Sequence, residues 1–393
     1  MMERPRFEPR LESLRGIAAL TVAAHHGMTT FAVLPGDRPP ILATVHDWLL
    51  GRVTNPGMAV LFFFVLSGYV LGQSLNRDAD YARFIVRRAF RILPAFIVSV
   101  LFAYACVTLI RIDVPPADLT DFFKRPFWPM PTVDQLKDNL VFRSSWINGP
   151  TWSIYWEIIG SIFLPPLVYL HCRVPEKYQI LIFIAASAVI SFLHIRITNY
   201  VLLPIVEYFY AGFFLPPLIA RWLPGSWWSR AIAFGFGYWI ILYVGPTNAG
   251  EFATIGPASI GASLMIGAVL TSQEFLNWLR LRPLRFLGRV SYSFYLIHWP
   301  VFYLTAITAV SIDVTPHGAS GNWIVCITSI AFALALSALM YRWLEVPSIE
   351  AGRRLTNLKI IPYIRHELSC RLANYQSRKN PPPSARPLEA NDD

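Results

Sequence analysis

The sequence has 393 residues, of which 54% are hydrophobic and 15% charged, and its mean hydropathy is +0.44. This balance excludes an ordinary soluble domain and indicates that most of the chain lies in a membrane. The four cysteines show no Cys-x-x-Cys or Cys/His ligand spacing, so we expect neither a disulfide framework nor a metal site.

Apolar runs long enough to cross about 30 Å of hydrocarbon as helices recur along the chain. The ten predicted spans are Leu11–Leu34, Pro56–Leu75, Ile92–Ile110, Thr151–Tyr169, Gln179–Ile197, Tyr200–Ala220, Ala231–Val244, Phe252–Leu270, Phe286–Val310 and Trp323–Leu344. The expected fold class is therefore all-α, a polytopic integral membrane bundle of about ten transmembrane helices. Residues 348–393 form a tail that becomes polar and proline-rich, and we expect it to be disordered toward its end.

The Lys and Arg residues predict the orientation of the spans, because short cytoplasmic loops are enriched in them. If the spans alternate in direction, 26 of the 34 basic residues fall on the side of the N-terminus and 8 on the other. We therefore expect both termini, and the tail, to be cytoplasmic. Because the net charge of +10 is spread over many short loops, it indicates the lipid bilayer as partner and not a nucleic acid.

The first predicted span carries Arg15 and His26, eleven residues apart. In a helix this spacing places both side chains on one face, about 16 Å apart along the axis. The neutral imidazole of His26 is suited to act as a general base on an acceptor hydroxyl. A buried histidine that bonds a neighbouring helix is an equally valid explanation. His25 points roughly 100° away and is the weaker candidate.

The fourth predicted span carries Glu157, which shares a helix face with Ser153 and Ser161 at a spacing of four. A carboxyl group in hydrocarbon is unfavourable, so it is a functional candidate by default. We expect Glu157 to orient and stabilise a catalytic histidine. The alternative is a protonated carboxyl in a helix-packing hydrogen bond, and Glu207 in the sixth span allows the same two interpretations.

The ninth predicted span places Gly288, Ser291, Tyr295 and His298 on one helix face, at spacings of three, four and three. Serine and tyrosine hydroxyls can donate to a carbonyl oxygen that gains negative charge during acyl transfer. We therefore treat Ser291, Tyr295 and His298 as substrate or transition-state candidates. Packing of small and hydroxyl side chains between helices is the alternative.

Three arginines, Arg87, Arg88 and Arg91, precede the third predicted span at its cytoplasmic mouth. Guanidinium groups suit the phosphates of a coenzyme A-like donor. Anchoring to anionic lipid headgroups is the commoner role of such a cluster. The sequence contains no P-loop or dinucleotide-type glycine motif.

Several of these segments, taken in order, resemble the acyltransferase-3 family of membrane O-acyltransferases. The segments are Leu14-Arg15-Gly16 with His26, the run from Phe62 to Tyr69, Phe84 with Arg87, Arg88, Arg91 and Pro94, Trp152-Ser153 with Glu157, and the run from Gly288 to His298. The resemblance extends over residues 1–347. It implies about ten spans, a bacterial inner membrane, and His26 and Arg15 as functional positions.

The resemblance also implies a function, transfer of an acyl group, usually acetyl, from a cytoplasmic acyl-CoA to a hydroxyl of a glycan or related envelope acceptor. The donor phosphates would bind near Arg87, Arg88 and Arg91, and the thioester would reach toward His26. Direct transfer and a transient acyl-histidine both suit an imidazole. The oligomeric state is not specified by the sequence.

The main alternative is a transporter or flippase, in which Glu157, Glu207, His26 and His298 form a substrate or proton pathway. The ten spans show no clear inverted repeat, which weakens this alternative. A third possibility, a membrane scaffold with a glycan-binding outer loop, leaves the polar helix faces unexplained.

Overall fold

The computed structural model describes residues 8–31, 53–77, 80–110, 114–117, 119–196, 202–244, 255–311 and 319–357. Within these residues the chain is helical, and its one β-pairing is an isolated bridge between Phe31 and Leu119. In chain order the α-helices are α1 (Pro9–Met28), α2 (Pro56–Arg77), α3 (Tyr81–Leu109), α4 (Asp121–Lys124), α5 (Val133–Leu140), α6 (Trp152–His171), α7 (Glu176–Arg196), α8 (Leu202–Trp222), α9 (Trp227–Val244), α10 (Ile255–Leu270), α11 (Arg282–Ser311), α12 (Ala319–Met340) and α13 (Val346–Asn357). A π-helical turn, Tyr341–Glu345, joins α12 to α13.

Each of the ten predicted spans coincides with one long helix, which confirms the all-α fold class. Seven described helical segments are long and apolar enough to cross a membrane, and α10 is apolar but shorter. The two remaining long helices are α1, which carries Arg10, Glu12 and Arg15, and α9, which is rich in Gly, Trp and Tyr. The chain is a multi-pass helical membrane protein.

Some predicted boundaries differ from the structure. The helix of the third span begins at Tyr81 and not near Ile92, because Asp80 caps it by accepting a hydrogen bond from the backbone N–H of Arg83 at 2.9 Å. The arginines before that span are therefore helical. The predicted ends at 32–34, 197, 200–201 and 252–254, and the tail beyond 357, lie outside the described residues.

The outer helices present large apolar side chains that are mostly exposed within the described residues. Leu181 on α7 is 62% exposed, Ile232 on α9 is 68% exposed, and Ile327 on α12 is 63% exposed. Apolar surface on this scale is rare in soluble monomers and is suited to contact with lipid tails. Among the long apolar helices, α2, α8 and α11 are the most buried.

Helices α1 and α11 touch backbone to backbone at a pair of glycines. A Cβ atom added to Gly16 would lie 2.6 Å from the backbone nitrogen of Gly288, and one added to Gly288 would overlap the carbonyl oxygen of Glu12. Glycines allow membrane helices to approach this closely because no side chain intervenes. This contact sets the register of the two helices that carry Arg15, His26 and the polar face of α11.

Arg10, which is fully buried, fastens the start of α1 to the connection between α10 and α11. Its guanidinium donates to the backbone carbonyls of Val269 at 3.0 Å, Ser272 at 2.5 Å and Phe275 at 2.5 Å. Glu8 pairs with the same guanidinium at 2.7 Å. Burial raises the pKa of Glu8, but the hydrogen bond and charge of Arg10 outweigh that effect and hold the pKa below its usual value.

The glycine contact predicts that Gly288→Ala destabilises the protein, because the added methyl overlaps backbone atoms that have no rotamer to adjust. We expect a loss of about 1–3 kcal/mol, read as a lower unfolding temperature of the purified protein in detergent. Gly235→Ala is the matched control, since a Cβ atom at Gly235 has nothing within 4 Å among the described residues. Equal unfolding temperatures for the two variants would contradict the close approach.

Candidate active site

A cavity of about 460 Å³ lies between α1, α2, α3, α6, α11 and α13. Its basic end is formed by Arg83, Arg87, Arg91 and Arg353, together with Asp80. Its walls are mostly apolar and aromatic, formed by Val60, Phe63, Phe64, Val70, Phe84 and Ile154. The lining residues farthest from the basic end on α6 and α11 are Ser153 and Tyr295, which mark the inner end.

Seven of the nine predicted site residues line this cavity. They are Arg15, Arg87, Arg88, Arg91, Glu157, Ser291 and Tyr295. The other two, His26 and His298, do not line it. His298 lies three residues beyond Tyr295 on α11, about one helical turn past the inner end.

Arg15 bridges α1 and α11 at the basic half of the cavity. Its Nε donates to the Ser291 hydroxyl at 2.9 Å, and a terminal nitrogen donates to the Gly288 carbonyl at 3.0 Å. Ser291 donates its own hydrogen to the same carbonyl at 2.8 Å. The Ser291 hydrogen is therefore already used within the protein, and the hydroxyl serves mainly to hold Arg15.

Glu157 does not meet His26, contrary to the expectation that it orients a catalytic histidine. Its carboxylate forms an ion pair with Arg88 and accepts a hydrogen bond from Ser67 at 3.4 Å. Arg88 also donates from Nε to Ser161 at 3.1 Å. The physical reason is that α6 directs this face toward α3, so the nearest buried charge is a guanidinium and not an imidazole.

The three arginines predicted to bind donor phosphates have different surroundings. Arg88 forms an ion pair with Glu157. Arg87 donates hydrogen bonds to the side chains of Thr356 at 2.9 Å and Asn357 at 3.2 Å on α13. Arg91 lines the cavity and makes no hydrogen bond to a described residue. Arg91 is thus the member of the trio with the most donor capacity left for a ligand.

Tyr295 and Ser153 form a hydroxyl pair at the inner end, with 2.9 Å between their oxygens. Ser153 also donates to the Pro150 carbonyl at 3.0 Å, which leaves the Tyr295 hydrogen directed at the Ser153 oxygen. Asn148 supports this corner by donating to the Leu296 carbonyl at 3.0 Å and to Ser99 at 3.3 Å. The two hydroxyls are positioned by α3, α6 and α11 together.

His26 and His298 are hydrogen-bonded to each other, with 3.0 Å between His26 Nδ1 and His298 Nε2. Trp299 packs edge-on against the His26 ring, with centroids 4.9 Å apart, and Phe122 lies at 5.8 Å. His298 is fully buried and Phe122 is 52% exposed. The imidazole of His26 therefore lies between the inner end of the cavity and an exposed aromatic residue on α4.

Two side chains near the cavity were not among the predicted site residues. Glu345, in the π-helical turn, is buried, accepts a hydrogen bond from Ser293 at 2.8 Å and lies in the electrostatic field of Arg91 and Arg15. Arg353 on α13 belongs to the basic end. Glu345 directly follows the last predicted span, and this position at the membrane boundary is the sequence feature that could have identified it as a site residue.

Glu207 lies away from this site, between α7, α8 and α10. It is 3% exposed and accepts hydrogen bonds from Ser187 at 2.7 Å and Ser259 at 3.4 Å. Glu157, Glu207 and the histidine pair thus form three separate polar groups. Across the described residues, no cluster of three or more His, Cys, Asp or Glu side chains has the arrangement of a metal site.

Comparison with known proteins agrees with this architecture. A family model described as an acyltransferase domain, that of the acyltransferase-3 family, matches residues 8–342. A protein of Acidianus two-tailed virus, provisionally named acetyltransferase ORF330, is 23% identical over 315 residues, which cover 74% of this chain and 82% of the viral protein. No solved structure gives a significant match.

The helical bundle and the matched domain define a multi-pass membrane acyltransferase. The chain belongs to the acyltransferase-3 family, as its sequence segments indicated.

The Arg88–Glu157 pair predicts a coupled effect on stability, because its side chains are only 11% and 20% exposed. Arg88→Gln or Glu157→Gln alone leaves one buried charge without its partner and should cost on the order of 3 kcal/mol. The double variant should lose less than the two single losses added together. Thermal unfolding in detergent measures all three.

The exposed pair Arg221–Glu176 is the matched control, with side chains 54% and 55% exposed. Arg221→Gln should change stability by less than about 1 kcal/mol. Strictly additive losses for the buried pair would show that Arg88 and Glu157 act independently.

Proposed function

We propose that this protein transfers an acyl group, most simply acetyl, from a cytoplasmic acyl-CoA to a hydroxyl of a glycan or related envelope acceptor. The observation that carries the proposal is the position of His26, an imidazole about one helical turn beyond the inner end of a cavity whose other end is lined by arginines. An acyl-CoA donor fits this arrangement, because its anionic phosphates can bind the arginine-lined end while its thioester reaches toward His26.

The lining of the cavity supports an acyl-CoA donor. Guanidinium groups bind phosphates with charge-assisted hydrogen bonds, and Arg91 and Arg353 line the basic end. The apolar wall beyond them suits the uncharged arm that carries the thioester. A volume of about 460 Å³ is in the range of small-molecule sites, so it accommodates part of such a donor and leaves its nucleotide end near the basic mouth.

In this proposal His26 acts as the general base. Its imidazole takes the proton of the acceptor hydroxyl, the hydroxyl oxygen attacks the thioester carbonyl, and the coenzyme leaves as a thiol after receiving that proton. To stabilise the charge that develops on the carbonyl oxygen, the Tyr295 hydroxyl at the inner end of the cavity turns its hydrogen from Ser153 to that oxygen. An acyl-His26 intermediate is the alternative order of events.

The proposed orientation places the basic end of the bundle at the cytoplasm, with both termini on that side of a bacterial inner membrane. The excess of Lys and Arg in the loops at that end supports this orientation. The acceptor then approaches from the side of Phe122, whose half-exposed aromatic ring suits the apolar face of a sugar.

A transfer assay tests the proposal directly. Membranes that contain the protein, permeabilised so that both faces are accessible, are given radiolabelled acetyl-CoA and a native envelope extract, and label in glycan or lipid is measured. We expect incorporation with the intact chain and a loss of roughly 10²- to 10⁴-fold with His26→Ala, because the general base is removed. His25→Ala, at the adjacent position, serves as control and should retain activity.

Equal incorporation with intact chain and His26→Ala would remove His26 from the chemistry. Absence of incorporation with acetyl-CoA and with longer acyl-CoA donors would contradict the proposed donor and favour transport.

The donor site makes a separate kinetic prediction. Arg91→Gln should raise the KM for acetyl-CoA and change kcat less, because it removes a phosphate contact remote from the reacting atoms. Glu207→Gln should change neither constant, since Glu207 lies in a separate polar group on α8. If Arg91→Gln lowers kcat at unchanged KM, the donor phosphates bind elsewhere.

A further inference from the structure

The hydrogen bonds of His298 specify which of its nitrogens carries the proton. His298 Nδ1 lies 2.7 Å from the backbone carbonyl oxygen of Tyr295. A carbonyl oxygen only accepts hydrogen bonds, so Nδ1 must be the protonated nitrogen. In the neutral ring of a fully buried histidine, Nε2 then presents a lone pair.

That lone pair faces His26. His298 Nε2 lies 3.0 Å from His26 Nδ1, and a nitrogen lone pair requires a donor opposite it. His26 Nδ1 must therefore carry its proton. In a neutral ring this leaves Nε2 of His26 as the unprotonated, basic nitrogen.

The ring geometry agrees with a hydrogen bond of this kind and not with face-to-face stacking. The two imidazole planes are 11° apart and their centroids are 5.2 Å apart. When two rings are joined in line by an N–H···N bond of 3.0 Å, the distance between their centroids is that bond length plus the distance from each centroid to its own nitrogen. The observed separation of 5.2 Å agrees with this sum. Imidazole N–H bonds and lone pairs lie in the ring plane, as this arrangement requires.

We infer that His298 is a positioning residue that fixes the tautomer of His26. It does so through two hydrogen bonds, from His26 Nδ1 to His298 Nε2 and from His298 Nδ1 to the Tyr295 carbonyl. This inference rests on the proposed function, in which His26 is the base. It deepens that function by assigning the reacting atom, Nε2 of His26, and by giving His298 a role that requires no contact with substrate.

These two hydrogen bonds also stabilise His26 during the reaction. When His26 Nε2 takes the hydroxyl proton, the ring becomes an imidazolium whose Nδ1–H donates to a neutral acceptor, His298 Nε2. The proton then passes from Nε2 to the departing thiolate, so that a hydroxyl and a thioester become an ester and a thiol. His298 keeps its own proton throughout and stabilises the transient charge by accepting a hydrogen bond.

Among the described residues, two titratable side chains contact the His26 ring. His298 faces it from α11, and His25 lies on its own helix with ring centroids 6.2 Å apart. From α4 and the rest of α11 the contacts are the aromatic rings of Phe122 and Trp299. His25→Ala is accordingly the control for any change in pH dependence.

The first measurement uses the intact protein. Protein labelled with ¹⁵N-histidine is reconstituted in lipid, and the nitrogen shifts of His26 are assigned by difference from His26→Ala. We expect a protonated Nδ1 and a bare Nε2 in the intact chain, and a mixture of tautomers in His298→Ala. A protonated Nε2 in the intact chain would overturn the inference without reference to activity.

The second measurement is kinetic. His298→Ala should lower kcat roughly 10²- to 10⁴-fold, leave the KM for acetyl-CoA unchanged and shift the pH profile, because His26 loses its fixed tautomer. His298→Gln should recover much of the loss, since its amide can donate to the Tyr295 carbonyl and accept from His26 Nδ1. His25→Ala should resemble the intact chain.

The outcomes separate the two proposals. Full activity in His26→Ala would end the role of His26 as base and with it the proposed mechanism. An inactive His26→Ala beside a His298→Ala that keeps its kcat and pH profile would end the inference alone. If His298→Ala does not fold, the inference is tested by the tautomer of His26 in the intact protein and by the activity of His298→Gln. A protonated Nε2 on His26 or an inactive but folded His298→Gln would overturn it.

Discussion

Helices α1 and α11 meet through two glycines, and the polar contacts of the site depend on how closely their backbones approach there. Arg15 reaches Ser291 and the Gly288 carbonyl from one side of this contact, and His26 reaches His298 farther along. Both pairs join the same two helices, so a change in their separation or register moves both at once. A methyl group at the contact would therefore act on His26 and on Arg15 together.

The arginines within the bundle fall into two groups by what their guanidinium groups contact. Arg10 and Arg15 donate to backbone carbonyls and a hydroxyl, and Arg88 pairs with a carboxylate. The planar fork of arginine makes several such bonds from one side chain, which offsets part of the cost of burying its charge. Among Arg87, Arg88 and Arg91, Arg91 makes no hydrogen bond to a described residue, and in the proposed function it binds the anionic donor together with Arg353.

Helical periodicity predicted a large part of this site. The spacing of eleven placed Arg15 and His26 on one face, and the three-four-three spacing of α11 placed Ser291, Tyr295 and His298 on another. Periodicity does not specify which helix a face meets. The partner of His26 lies 272 residues away, and Glu157 meets Arg88 and not an imidazole. The hydrogen bonds from Arg87 to α13 follow from tertiary packing as well.

The hydroxyl pair of Ser153 and Tyr295 lies at the inner end of the cavity, and His298, which bonds His26, follows Tyr295 by about one turn of helix. A bacterial inner membrane stores energy as an ion gradient, and any continuous file of water through a protein would discharge it. In the proposed function, the protein draws its donor from one compartment and serves an acceptor in the other, so it must pass a group of a few atoms across the membrane while holding back protons and sodium. The hydroxyl pair of Ser153 and Tyr295 would then form part of the barrier that holds those ions back.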